Sequence, residues 1–149
     1  MKRVMTLDAS DARELVDLAI AAATTLGVPQ NIAVVDASGA LLAFHRMDGA
    51  KPYTAEFALA KARTAAGLRV STDKLADVVQ PGQRGYGLNT LRGGDVAVLG
   101  GGAPITVEGA VAGAIGISSG TVHEDAEIAQ RAAQEFEAQA AQIQWIGPA

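Results

Sequence analysis

Cysteine is absent from the 149-residue chain, which removes disulfides, thiolate chemistry and Cys-ligated zinc. Aromatic residues make up only 4%, and 12 Lys/Arg face 16 Asp/Glu for a net charge of −4. Without a basic cluster, an electrostatic nucleic-acid binder is not expected. No apolar run approaches the roughly 20 residues of a membrane span, so no membrane partner is expected. Met1, Lys2 and Arg3 are followed by Asp8 with no signal-peptide core between them, and a cytoplasmic location is expected. The only histidines are His45 and His123. A three-His zinc site is thereby excluded, and HExxH is missing.

Small residues fill the space those absences leave. Hydrophobic residues reach 49% and charged residues 19%, with 17 glycines and 31 alanines. That is the composition of a folded chain, and residues 1–149 suit one domain. Short side chains let helices approach a sheet closely but fill a core poorly. Burial between subunits compensates, so a homo-oligomer is expected.

Periodicity predicts a helix over residues 11–26, stopped by Gly27 and Pro29. A hairpin follows, with strands at 32–35 and 40–46 around Asp36-Ala37-Ser38-Gly39. Strict alternation puts Leu42, Phe44 and Arg46 on one face of its second strand and Leu41, Ala43 and His45 on the other. A second helix is predicted over 52–68 and a short one over 74–79. Residues 70–94 are irregular and rich in glycine, as in loops that lie over a binding site. Strands at 96–99, 105–107 and 110–118 and a helix over 124–142 complete the pattern. Helix, two strands, helix, three strands, helix argues for an antiparallel sheet with helices packed on it.

Four constellations carry chemistry. His45-Arg46-Met47-Asp48 places an imidazole, a guanidinium and a carboxylate at a strand end, where they either contact a ligand or order the loop. Lys61 sits on an alanine-rich helix, either as an anion binder or as a snorkelling stem. Gly100-Gly101-Gly102 can form an anion nest but lacks the Lys-Ser/Thr of a P-loop. Ser118 to Asp125 joins the last strand to the last helix. There Ser119 or Thr121 can cap the helix, while Glu124 and Asp125 complement its dipole. His123 in the same stretch remains a candidate metal ligand.

Taken together, Ile32-Ala33-Val34-Val35-Asp36-Ala37-Ser38-Gly39, Leu42-Ala43-Phe44-His45-Arg46-Met47-Asp48-Gly49-Ala50, Lys61-Ala62-Arg63-Thr64-Ala65, Gly101-Gly102-Ala103-Pro104-Ile105 and Gly113-Ala114-Ile115-Gly116-Ile117-Ser118 resemble the GlcG/HbpS-like family. That family includes the C-terminal domain of PduO-type adenosyltransferases. The resemblance implies a profilin-like α+β domain, with a five-stranded antiparallel sheet flanked by helices. It implies homo-oligomers from dimer to octamer, and haem binding in some members. The family pocket, carried onto this chain, points to Arg46, Asp48, Lys61, Gly102 and Ser118.

Three functions follow as expectations. The first is binding of haem or a related tetrapyrrole. Arg46, Lys61 or Arg63 would hold propionates, His45 or His123 would ligate iron, and Tyr53 or Tyr86 would be weaker oxygen ligands. The second is a cofactor-free lyase or isomerase, in which Arg46 or Lys61 clamps a carboxylate and His45, Asp48 or His123 moves a proton. The third is a non-catalytic oligomeric accessory protein. The ligand readings require cationic groups from separate segments to converge on one cavity.

Overall fold

The computed structural model describes residue 1 and residues 3–145. Its helices are α1 (Ala9–Leu26), α2 (Ala55–Leu68), α3 (Asp73–Val78) and α4 (Val122–Trp145). Its strands are β1 (Asn31–Asp36), β2 (Leu41–Arg46), β3 (Gly102–Val107) and β4 (Ala110–Ser118). All pairings are antiparallel, in the order β2-β1-β4-β3. The sheet is flanked by α1 and α4 on one face and by α2 on the other.

Local chemistry explains the element ends. Asp8 accepts from the Ser10 and Asp11 amides while its own N–H donates to the Asp11 carboxylate, a capping box that starts α1. Gly27 ends α1 in the left-handed region at φ 71°. The Asp36 carboxylate accepts from the Ser38 N–H and Oγ and the Ala40 N–H, which folds the β1–β2 turn. The same contacts, led by the Ser38 hydroxyl, hold the Asp36 carboxyl below its ordinary value of 3.8.

The sheet has four strands among the described residues, where five were expected. The missing one is the stretch 96–99. Its backbone bonds go to side chains instead: the Ala97 N–H donates to Thr64 Oγ1, and the Leu99 carbonyl accepts from Thr72 Oγ1. Those groups belong to α2 and to the turn before α3, so the segment is drawn off the sheet edge.

Strict alternation also fails in β2. The register shifts between Val34 and Val35, a bulge that breaks the two-residue period. Leu42 and Ala43 consequently both pack on the core under α1 and α4. Beyond the bulge, Phe44 pairs with Ala33 and Arg46 with Asn31, on the face toward α2.

The two faces are built from different material. Between the sheet and α1 and α4 lie Leu15 of α1 and Ile32, Val34, Ile105, Ile115 and Ile117 of the sheet, all fully buried. Under α2 the buried set is Ala33, Val35, Ala58, Ala62, Ala65, Ala66 and Ala114. Gly116 and Gly102 pair across β4 and β3 on that face. A Cβ on Gly116 would collide with the Ala58 carbonyl, and one on Gly102 would lie 2.5 Å from the Lys61 carbonyl oxygen. The glycine floor is what lets α2 lie directly on the sheet.

Candidate functional site

That closeness determines the fate of Lys61. The side chain is 3% exposed. Its Nζ donates to Asp125 Oδ2 at 2.9 Å, to the Ile117 carbonyl at 3.0 Å and to Ser118 Oγ at 3.4 Å. The other oxygen of Asp125 accepts from the Gly120 N–H at 3.0 Å. Lys61 is therefore neither a snorkelling surface chain nor a free anion clamp. It joins α2, the end of β4 and the start of α4 through a buried ion pair. Gly101 makes room for it, since a Cβ there would stand 2.9 Å from Nζ.

Asp125 as the partner of Lys61 was not legible in the sequence. Sequence position alone pairs it with Glu124 at the helix dipole, but only Glu124 plays a purely local part. The Thr121 N–H donates to Glu124 Oε2 and the Glu124 N–H to Thr121 Oγ1, a reciprocal cap at the start of α4. Ser119 is used elsewhere: its Oγ accepts from the Lys51 N–H.

The end of the sheet gathers another part of the expected set. Arg46, Asn31 and Ser118 form one cross-strand row on β2, β1 and β4, so neighbours in the row lie about 5 Å apart. The Asn31 amide donates to the Lys51 carbonyl, Thr54 Oγ1 and the Ser118 carbonyl, fastening the 47–54 loop to the sheet. Arg46, Asp48, Lys51 and Tyr53 are exposed around that loop. Tyr53 is 82% exposed and meets Phe57 edge-to-face, with centroids 5.7 Å apart. Gln30 and Asn31 are buried at the same end. Among the described residues, both amide atoms of Gln30 and Oδ1 of Asn31 have no partner, a rare condition for buried polar atoms.

His45 and His123 occupy different surroundings. His45 is exposed on β2, an outer strand, next to Arg46. His123 lines an open groove of about 480 Å³ with Asp73, Asp77 and Glu127. Among the described residues, no group of three His, Asp or Glu could hold a metal ion. The proton-transfer candidates His45, Asp48 and His123 are all exposed and are not enclosed with a cation. The expected convergence of Arg46 with Lys61 does not occur, because the ammonium is consumed by Asp125. Gly102 packs under Lys61 as part of the glycine floor.

With this geometry in view, comparison with known proteins decides the family. The sequence model described as "Haem degrading protein HbpS-like" matches residues 7–134. The chain belongs to the HbpS-like family. It is 36% identical over 135 residues to an uncharacterised 15.0 kDa protein of the dhaT-dhaS intergenic region of Citrobacter freundii, covering 91% of this chain and 95% of that one. It is 38% identical over 128 residues to the corrinoid adenosyltransferase PduO of Salmonella typhimurium, covering 86% of this chain but 38% of PduO. Among solved structures, the crystal structure of the PduOC:heme complex superposes with a TM-score of 0.83 at 38% identity. The match covers 87% of this chain and 94% of that one. Haem binding thus occurs within the family. No helix of the described residues is long and apolar enough to cross a membrane.

Proposed function

We propose that this HbpS-like protein binds haem or a closely related tetrapyrrole at the open end of β2. The observation that carries the reading is the likeness to the haem-complexed PduO domain, at 38% identity over 94% of that domain. The local chemistry fits. Arg46 and Lys51 are exposed cations suited to propionates, and Tyr53 and Phe57 offer aromatic surface to a flat ring. When bound, haem would supply a redox-active iron.

His45 is the better iron ligand of the two histidines. It pairs with Ile32 and so lies on the face of β2 opposite Arg46, but at the same strand end, where Arg46 and Lys51 make the local potential positive. The carboxylates of Asp73, Asp77 and Glu127 around His123 instead repel a dianionic macrocycle. Ser118 acts indirectly here, through its row with Asn31 and Arg46. A homo-oligomer between dimer and octamer belongs to the same proposal. Leu41 and Phe44 on the outer strand are 47% and 44% exposed and form the apolar surface to be covered.

Haem titration tests the reading. A saturable Soret shift is expected, abolished by His45→Ala and retained by His123→Ala. An unaltered free-haem spectrum with the unsubstituted protein overturns it. Native mass spectrometry reads the subunit count, and a monomer at micromolar concentration overturns the oligomer.

A further inference from the structure

On its outer side α2 meets the segment 88–99, and a cavity of about 240 Å³ lies between them and the β1–β2 turn. Arg63, Arg92, Ser38 and Gly67 line it, with Asp95 on the same wall. Arg63 Nε donates to the Gly39 carbonyl at 3.3 Å, which anchors the guanidinium and leaves its Nη donors over. Among the described residues, neither Arg63 nor Arg92 has a carboxylate within 4.0 Å. Both guanidiniums are exposed at the mouth of this cavity, and in a chain of net charge −4 the two of them outweigh Asp95 and make the site locally positive.

Two backbone features agree with a space kept open. Arg92 sits in the left-handed region at φ 54°, a conformation unfavourable for a side-chain-bearing residue and often retained at ligand sites. Gly67 lies inside α2, where alanine would be more stable by up to about 1 kcal/mol. It needs no positive φ; that role falls to Arg69 at φ 56°. A Cβ on Gly67 would meet nothing within 4 Å, so no packing contact requires glycine at this position of the cavity wall.

We infer that this cavity is a second ligand site, taking a compact oxyanion between Arg63 and Arg92. The volume is below the roughly 300–1,000 Å³ of sites for drug-sized molecules, which restricts the guest to a phosphate or a small di-acid. Asp95 adds an acceptor, so an anion that also carries a hydroxyl, as hydrogen phosphate does, fits best. The site is separate from the β2 end and stands whether or not haem binds there.

Calorimetric titration of the intact protein with inorganic phosphate, and separately with malonate, tests the inference at constant ionic strength set by KCl. Saturable binding of at least one anion is expected. Arg63→Gln and Arg92→Gln are each expected to weaken it about tenfold or more. Gly67→Leu keeps both guanidiniums but places a bulky side chain at the cavity wall, one helical turn from Arg63, and is expected to weaken binding at least tenfold. Phosphate alone binding points to a phosphate-bearing guest, and malonate alone to a dicarboxylate; either supports the site. No saturable heat with either anion overturns it, as does Gly67→Leu binding with the affinity of the unsubstituted protein. Circular dichroism confirms that each variant is folded before it is scored.

Discussion

The two faces of one sheet are stabilised in different ways. Under α1 and α4, branched aliphatic side chains fill volume. Under α2, alanines rest on a glycine floor, and the one long side chain, Lys61, is buried with its charge paired. The first face is tolerant, because apolar volume can be redistributed. The second is not, because its contacts are backbone against backbone and ion against ion. The difference teaches why the candidate ligand chemistry lies around α2 and the β2 end. A helix held this close leaves its outer surface and the adjoining strand end free of packing duties.

Substitutions can break that comparison in order of size. Lys61→Met leaves Asp125 as an unpaired buried carboxylate and is expected to cost about 4 kcal/mol in urea unfolding. Adding Asp125→Leu is expected to recover most of the loss, since the pair itself is replaceable by apolar packing. Gly116→Ala drives a methyl into the Ala58 carbonyl and is expected to cost about 3 kcal/mol. Ile128→Val, fully buried on the opposite face, is expected to cost only about 1 kcal/mol. Should Gly116→Ala prove milder than Ile128→Val, the contrast between the faces fails.

A pH effect sharpens the comparison at its small end. Asp36 is held below 3.8 by the Ser38 hydroxyl first and by backbone N–H groups next. A depressed carboxyl stabilises the fold above its unfolded value and loses that contribution as pH falls through its folded value. Stability should therefore decline below pH 3.8, and Asp36→Asn should flatten that part of the unfolding profile. An identical acid limb in both proteins would contradict the role given to this turn.

Much of the fold was legible because local chemistry and global packing agree. The sequence predicts a strand over 110–118 and β4 runs over Ala110–Ser118, with Val111, Ile115 and Ile117 as its β-branched residues and the Glu108-Gly109 turn marking its start. Helical spacing predicts an inner face of α4 made by Ala129, Ala132, Ala133, Phe136 and Ala140; the first four are buried, and Ala140 is only half-buried. Residues 96–99 looked like a strand because propensity says nothing about Thr64 and Thr72, whose hydroxyls take the backbone bonds. The bulge in β2 was equally hidden, since it depends on register with β1.

The candidate site was legible only in part, for a related reason. Arg46 and Ser118 were singled out separately, and the row through Asn31 that joins them depends on strand order. Lys61 was seen as unusual among alanines, but its partner lies 64 residues away. Arg92-Gly93-Gly94 stands out in the sequence as a stretch where a substrate of this chain's own could be read, but that Arg92 shares a cavity with Arg63 depends on the fold. Short-range pattern cannot supply contacts that arise only when α2 settles on its glycines.

The most direct measurement is a pair of haem titrations on Arg46→Ala and Ile128→Val. The account expects Arg46→Ala to weaken haem binding about tenfold with unchanged stability, and Ile128→Val to bind normally while unfolding earlier. Weaker binding in Ile128→Val with none in Arg46→Ala would contradict the separation of stability from ligand chemistry.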